Sequence, residues 1–308
     1  MSYPNPPAGP SAEEVWVFPP SPPAYLPGAP LPSPWKGASR NVVLFLLTAV
    51  SVYLTGGPRL VFGLLSILMA HEMGHYVACR IYRVDATLPY FLPFPGLSLA
   101  GTLGAFIRIR GPIPHRKALF DIGIAGPLAG FALALPVLIL GVREAQVLPE
   151  APSAGIYLGE PLLFKGAVWI MRGATPDHMT LTLGPLGLAA WFGLFVTALN
   201  LIPIGQLDGG HVTYALFRQR AALVSRIGSW VCVALIYFGP NWVLWSLLLR
   251  ILGRRHPPTL DDGEPLGRAR AWVGALGLIV FLGCFVPDPI VWSWRDFFDT
   301  IGLPFTSR

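Results

Sequence analysis

Three polar residues stand where polar groups are costly: within "LLSILMAHEMGHYVACR", residues 64–80, the run His71-Glu72-Met73-Gly74-His75 interrupts an otherwise apolar stretch. On a helix the i, i+4 spacing sets His71 and His75 on one face, one turn apart, where both imidazoles can reach a single Zn²⁺. Glu72 then flanks the metal as a general base. Ionisable groups inside an apolar span are functional by default, because the bilayer penalises them. A catalytic zinc usually has three protein ligands and an open position, so a third donor must come from elsewhere. "ALNLIPIGQLDGGH", residues 198–211, offers Asp208. Asp121 is a competing carboxylate, read chiefly as hydrogen-bonded structure. His115, His178 and His211 fall in loops or at helix edges, with His211 near enough to Asp208 to support a ligand.

Composition states what must position these groups. Of 308 residues, 53% are hydrophobic and 12% charged, and mean hydropathy is +0.57, which describes a polytopic, all-α membrane protein. Apolar spans are expected at 41–56, 60–79, 118–142, 180–203 and 271–286. A broken region at 224–252 reads as two short passes parted at "GPN", 239–241. Together these make about six to seven transmembrane helices. Residues 86–110, punctuated by Pro89, Pro93 and Pro95, suit short strands or a re-entrant segment. Backbone of that kind is tolerated at membrane depth only against protein or a cavity.

The net charge of +6 is a topology signal and not a nucleic-acid footprint. Arg80, Arg83, Arg108, Arg110, Arg116 and Lys117 fall between the second and third spans. Arg218, Arg220 and Arg226 follow the fourth, and Arg254, Arg255, Arg268 and Arg270 precede the last. The positive-inside rule puts all three groups in the cytoplasm, with 143–179 outside and the N-terminus inside. The second and fourth spans then run parallel, and His71, His75, Asn200 and Asp208 share one depth. That depth is one to two helical turns from the cytoplasmic face, at ~1.5 Å per residue.

Residues 1–38 are Pro-rich and expected to be disordered, without the pattern of a signal peptide; 39–290 form the membrane domain and 291–308 a short tail. Cys79, Cys232 and Cys284 read as core thiols. Gly126 and Gly130, in "GIAGPLAG", form a GxxxG that admits a close helix neighbour.

Together, His71-Glu72-Met73-Gly74-His75 and the run from Asn200 to Gly209 match HExxH and NxxPxxxxDG, and the chain resembles over 41–287 the site-2 protease family of intramembrane zinc metalloproteases. The resemblance implies a helical membrane core around one Zn²⁺ per chain, held by His71, His75 and Asp208. It gives Glu72 the task of activating water and Asn200 that of orienting or stabilising the reacting carbonyl. It places substrate-presenting strands in 86–110. It also implies cleavage of membrane-spanning protein substrates near the cytosolic side, as in regulated intramembrane proteolysis. Many bacterial members carry a PDZ domain in the connection equivalent to 143–179, which is too short for one here, so the expected type is compact and PDZ-less. The expected partners are transmembrane substrates and the lipid bilayer, with no nucleic acid, and the expected location is the plasma membrane. A transporter and a catalytically silent client-binding relative are the rival readings.

Overall fold

The computed structural model describes residues 33, 35, 37–96, 98–149, 156–174, 179–252 (backbone alone at 250–252) and 259–291. The Pro-rich 1–38 segment, the 291–308 tail and His178 therefore lie wholly or almost wholly outside the described residues.

Helix α1 (Ala38–Ile81) is two arms joined at a kink, where Gly56 (φ −151°, ψ 18°) and Gly57 (φ 72°, ψ −170°) leave helical geometry immediately before Pro58. Gly57 occupies a backbone region closed to residues with a Cβ, and proline removes a helix donor, so the break is set locally. It separates the two spans expected at 41–56 and 60–79. On the first arm Val43, Leu46, Leu47, Val50 and Leu54 point outward, each more than half exposed. The second arm carries the HExxH residues.

Helix α2 (Arg116–Glu144) and α4 (Pro185–Leu201) pack on this second arm. Small residues make the crossings close: a Cβ on Gly63 would meet Ala189, one on Gly193 would meet Ile67, and one on Gly141 would meet the Gly187 backbone. Packing of this kind replaces the hydrophobic drive that is lost in lipid. Leu60, Leu64, Ile67, Leu119, Phe120, Trp191 and Leu194 fill the core between them, all essentially inaccessible.

Beyond α4 come α5 (Asp208–Phe217), a 3₁₀ turn at Arg218–Arg220, α6 (Ala221–Ala234), α7 (Asn241–Leu252) and α8 (Arg268–Cys284). Ser246 donates to the Cys232 carbonyl at 2.8 Å, tying α7 to α6. Helix α7 starts within the "GPN" that the sequence marks as a break. Among the described residues, three helical runs are long and apolar enough to cross a membrane: Ala38–Ile81, Arg116–Glu144 and Asp208–Tyr237. Helix α4, at 17 residues, is shorter. The fold is thus mainly helical, with three candidate spans where the sequence suggests six or seven. The shortfall arises because α1 counts once despite its kink and because α4, α7 and α8 are short.

Two small sheets complete the chain. In the Pro-broken segment after α1, β1 (Tyr90–Pro93) pairs antiparallel with β2 (Thr102–Phe106), with Tyr90 opposite Phe106 and a bulge after Phe91. The first arm of α1 fixes this hairpin: Asn41 Nδ2 donates to the Leu88 and Pro89 carbonyls (2.8 and 2.9 Å), and Ser51 Oγ donates to Gly101 O (2.5 Å). In the connection from α2 to α4, β3 (Gln146–Pro149) pairs with β4 (Met179–Thr182), and α3 (Leu162–Arg172) lies between them in sequence. The three cysteines are buried free thiols.

At the start of α2 a polar segment, 259–264, is laid across neighbouring elements. Leu260 and Asp261 amides donate to the Ile113 and Pro114 carbonyls. Asp262 receives Tyr214 Oη (2.7 Å) and Thr259 Oγ1 (2.6 Å), and Lys117 pairs with Glu264 (3.0 Å). Burial opposes its ionisation, but those two hydrogen bonds and the nearby Arg116 and Arg218 charges hold the Asp262 carboxyl below the ordinary carboxylate range.

Candidate metal centre

His71 and His75 project from the second arm of α1 at 3% and 7% exposure. Asp208, the first residue of α5, reaches them across the bundle. The two imidazole Nε2 atoms and Asp208 Oδ2 form a triangle with every side 3.2 Å. Among the described residues this is the only His/Cys/Asp/Glu group able to hold a metal ion. A tetrahedral zinc with bonds of about 2.0–2.1 Å spaces its ligand atoms roughly 3.3 Å apart, so the donor set fits one ion. The tautomer agrees. His75 Nδ1 lies 2.7 Å from the Ile122 carbonyl, which can only accept, so Nδ1 carries the proton and Nε2 presents its lone pair to the centre.

Asp208 is delivered by the chain reversal after α4. Helix α4 ends at Leu201, Ile202 turns extended (φ −58°, ψ 128°) and Pro203 follows. The Gly205 amide is held by Ser225 Oγ at 3.1 Å, and Leu207 bonds back to Ile204 O. Gly209 and Gly210 then run against the backbone carbonyls of Leu201 and Gly205, where a Cβ on either would overlap them. The sequence "LDGG" is thus a packing requirement of the turn that presents Asp208.

Two further polar groups are in place. Glu72 is 5% exposed, and the Ile107 backbone amide, one residue past β2, faces its carboxylate. The Asn200 amide, near the end of α4, lies 3.2 Å from His71 Nε2. All five residues singled out in the sequence are therefore brought to one site, from α1, α4 and α5.

The remaining candidates lie elsewhere. Asp121 forms a fork with Arg270 of α8, accepting from Nε (2.9 Å) and Nη2 (2.7 Å), and also accepts from Tyr82 Oη. Burial and the Asp121 carboxylate push the Tyr82 phenol up. His115 caps α2, its Nδ1 accepting from Ala118 N at 3.1 Å. His211 packs beside Gly123.

Sequence reading identifies Gly126 and Gly130 as a close-approach motif without saying what approaches. It is the ligand helix: a Cβ on Gly126 would overlap the His75 imidazole, and one on Gly130 would stand 3.0 Å from His71 Cβ. Gly74, inside HExxH, likewise runs against the Ala125 carbonyl. A signal was present, since 126/130 and 71/75 share the same i, i+4 interval.

Comparison with known proteins gives the family. Residues 59–238 match the model of peptidase family M50. The chain is 30% identical over 252 residues to "Probable zinc metalloprotease EGY1, chloroplastic" of Arabidopsis thaliana, covering 79% of this chain and 44% of that protein. It is 31% identical over 250 residues to the Oryza sativa subsp. japonica protein of the same name, covering 79% and 42%. With "Probable zinc metalloprotease EGY2, chloroplastic" of Oryza sativa subsp. indica it shares 34% over 170 residues, covering 53% and 30%. The chain spans less than half the length of these relatives. Their names carry a chloroplast location, so the plasma-membrane expectation gains no support from them. With its match extending over more than half the chain and enclosing the residues just described, the chain belongs to peptidase family M50, the site-2 protease family.

Proposed function

We propose that this chain is a zinc-dependent intramembrane endopeptidase, binding one ion per chain through His71, His75 and Asp208 and hydrolysing peptide bonds of membrane-spanning proteins near the basic, cytosol-like side. The observation that carries the reading is the convergence of three metal-ligating atoms, each 3.2 Å from the other two, beside a buried carboxylate that metal binding alone does not need. Names of the relatives, which specify zinc metalloproteases, favour the same reading.

Zinc bound there would supply Lewis acidity, polarising a carbonyl and bringing the pKa of water to about 7. Glu72 takes a proton from the attacking water and returns it to the amide nitrogen as the C–N bond breaks, leaving a carboxylate and an amine. Asn200, with its amide at the ligand triangle, hydrogen-bonds the carbonyl oxygen as negative charge develops on it. A substrate helix hides its peptide bonds, so it must unwind locally. The outer edge of β2 leads by way of Ile107 to Glu72 and can pair with the extended stretch. On this reading the short helices α4, α7 and α8 and both arms of α1 cross the membrane, giving the six or seven passes that basic loops require.

The test is cleavage of a panel of single-span proteins by the reconstituted chain, by its Glu72→Gln variant and by chelated protein, with zinc content measured in each. Cleavage within the span by the wild type alone is expected. Equal cleavage by Glu72→Gln would overturn the role given to Glu72, and no cleavage by fully zinc-loaded wild type across the panel while clients still bind would favour a silent binder instead.

A further inference from the structure

A cavity of about 360 Å³ opens between the α4–α5 turn, the end of α5 and the first turns of α6. Its charged lining is wholly basic, Arg218 and Arg226, and hydroxyl groups of Thr213, Ser225 and Ser229 accompany them. We propose that this cavity binds a phosphate group, supplied by the headgroup of an anionic membrane lipid.

The donors are available. Arg226 has no hydrogen-bond or ion-pair partner among the described residues. Arg218 donates only through Nη2, to the backbone carbonyls of Asp262 (2.5 Å) and Gly263 (3.4 Å), with the Asp262 carboxylate nearby and its remaining guanidinium N–H groups unengaged among the described residues. Ser225 Oγ accepts from the Gly205 amide, so its own proton can point to a ligand. Two guanidinium groups and a hydroxyl around one concave space are a donor set matched to phosphate oxygens. Arg218 also adopts a left-handed backbone (φ 52°, ψ −121°), a conformation that places its side chain at the cavity rim at the expense of local strain.

The surroundings point to a lipid source. Leu223, Ile227, Trp230 and Val231 on α6 are each more than half exposed, so Arg226 stands beside an apolar outer face, with a tryptophan one turn further along. Arginine followed by tryptophan on a lipid-facing helix is the pattern of a headgroup-level anchor. Basic pockets at the cytosolic end of membrane helices attract anionic headgroups. Pro203 and Gly205 also line the cavity, within the turn between Asn200 and Asp208. A bound phosphate would therefore brace the turn that presents Asp208. The proposal rests on the membrane-spanning reading and not on peptide hydrolysis.

The experiment uses the full chain in phosphatidylcholine nanodiscs with and without phosphatidylglycerol, together with native mass spectrometry of lipid retained in detergent. Arg226→Gln is compared with Arg220→Gln, which removes an exposed arginine outside the lining. One phosphatidylglycerol should be retained by the wild type, about tenfold more weakly by Arg226→Gln, and unchanged by Arg220→Gln. Unaltered thermal unfolding of Arg226→Gln in phosphatidylcholine shows that the variant folds. If inorganic phosphate protects the wild type in phosphatidylcholine, and Arg226→Gln abolishes that protection while phosphatidylglycerol does nothing, the cavity holds a soluble phosphate and the lipid source is wrong. Equal lipid retention by wild type and Arg226→Gln, or equal loss in both variants, overturns the site.

Discussion

The backbone of Gly126 on α2 lies so close to the His75 imidazole on α1 that no side chain fits between them. One turn away Gly130 stands under His71 at tight contact distance, and the Ile122 carbonyl holds His75 Nδ1 at 2.7 Å. Helix α2 is therefore the back wall of the metal centre, fixing both the position and the tautomer of a ligand it does not itself supply.

Gly126→Ala should consequently displace His75. We expect a loss of zinc affinity of more than about 100-fold, in the range of orienting-group losses or beyond, and destabilisation of about 1–3 kcal/mol from overpacking. Gly130→Ala, where the added methyl meets His71 at 3.0 Å without overlap, should do less of both. Metal titration and thermal unfolding of the two variants side by side check the order; a more harmful Gly130→Ala would contradict it.

Glu72 and Asp208 should separate by readout. Asp208→Ala removes a ligand and should abolish stoichiometric zinc along with cleavage. Glu72→Gln, isosteric and outside the ligand triangle, should keep about one zinc per chain and lose at least about 10²-fold in turnover. Elemental analysis beside a cleavage assay distinguishes the two. Loss of zinc from Glu72→Gln would make that residue a ligand.

Asp121, the alternative carboxylate, is committed to Arg270. Both side chains are about 30% exposed, so the fork tying α2 to α8 should be worth about 1–2 kcal/mol. Asp121→Asn should lower the unfolding midpoint and leave zinc content unchanged. A fall in zinc at unchanged stability would restore Asp121 to the ligand set.

The 259–264 segment should respond to acid. Because the folded structure depresses the Asp262 carboxyl below its ordinary 3.8, the unfolded form binds the proton more readily. The stabilisation is therefore complete above that ordinary value and disappears as pH falls through the lower folded one. Protection from amide exchange at Leu260 and Asp261, whose N–H groups bond Ile113 and Pro114, should fall relative to the intrinsic rate at that end of the pH scale. Asp262→Asn should be less protected at neutral pH and lose the acid dependence of that protection.

Several of these features were legible without coordinates because they are local. A 3.6-residue period sets His71 and His75 on one face whatever packs around them, Gly57-Pro58 breaks a helix by its own sterics, and composition alone assigns the chain to a membrane. How the third ligand reaches the two histidines was of another kind. Asp208 and His71 are 137 positions apart, and their meeting depends on the rotation of α4, on a turn that admits only glycine at 209 and 210, and on the distance between helix axes. The same packing sends Asp121, read from the sequence chiefly as hydrogen-bonded structure, to Arg270, and turns a generic GxxxG into the floor beneath two imidazoles. Spacing along the chain fixes which groups can share a helix face. Which faces then meet is decided by close packing between helices, where removing or adding a single Cβ changes the answer.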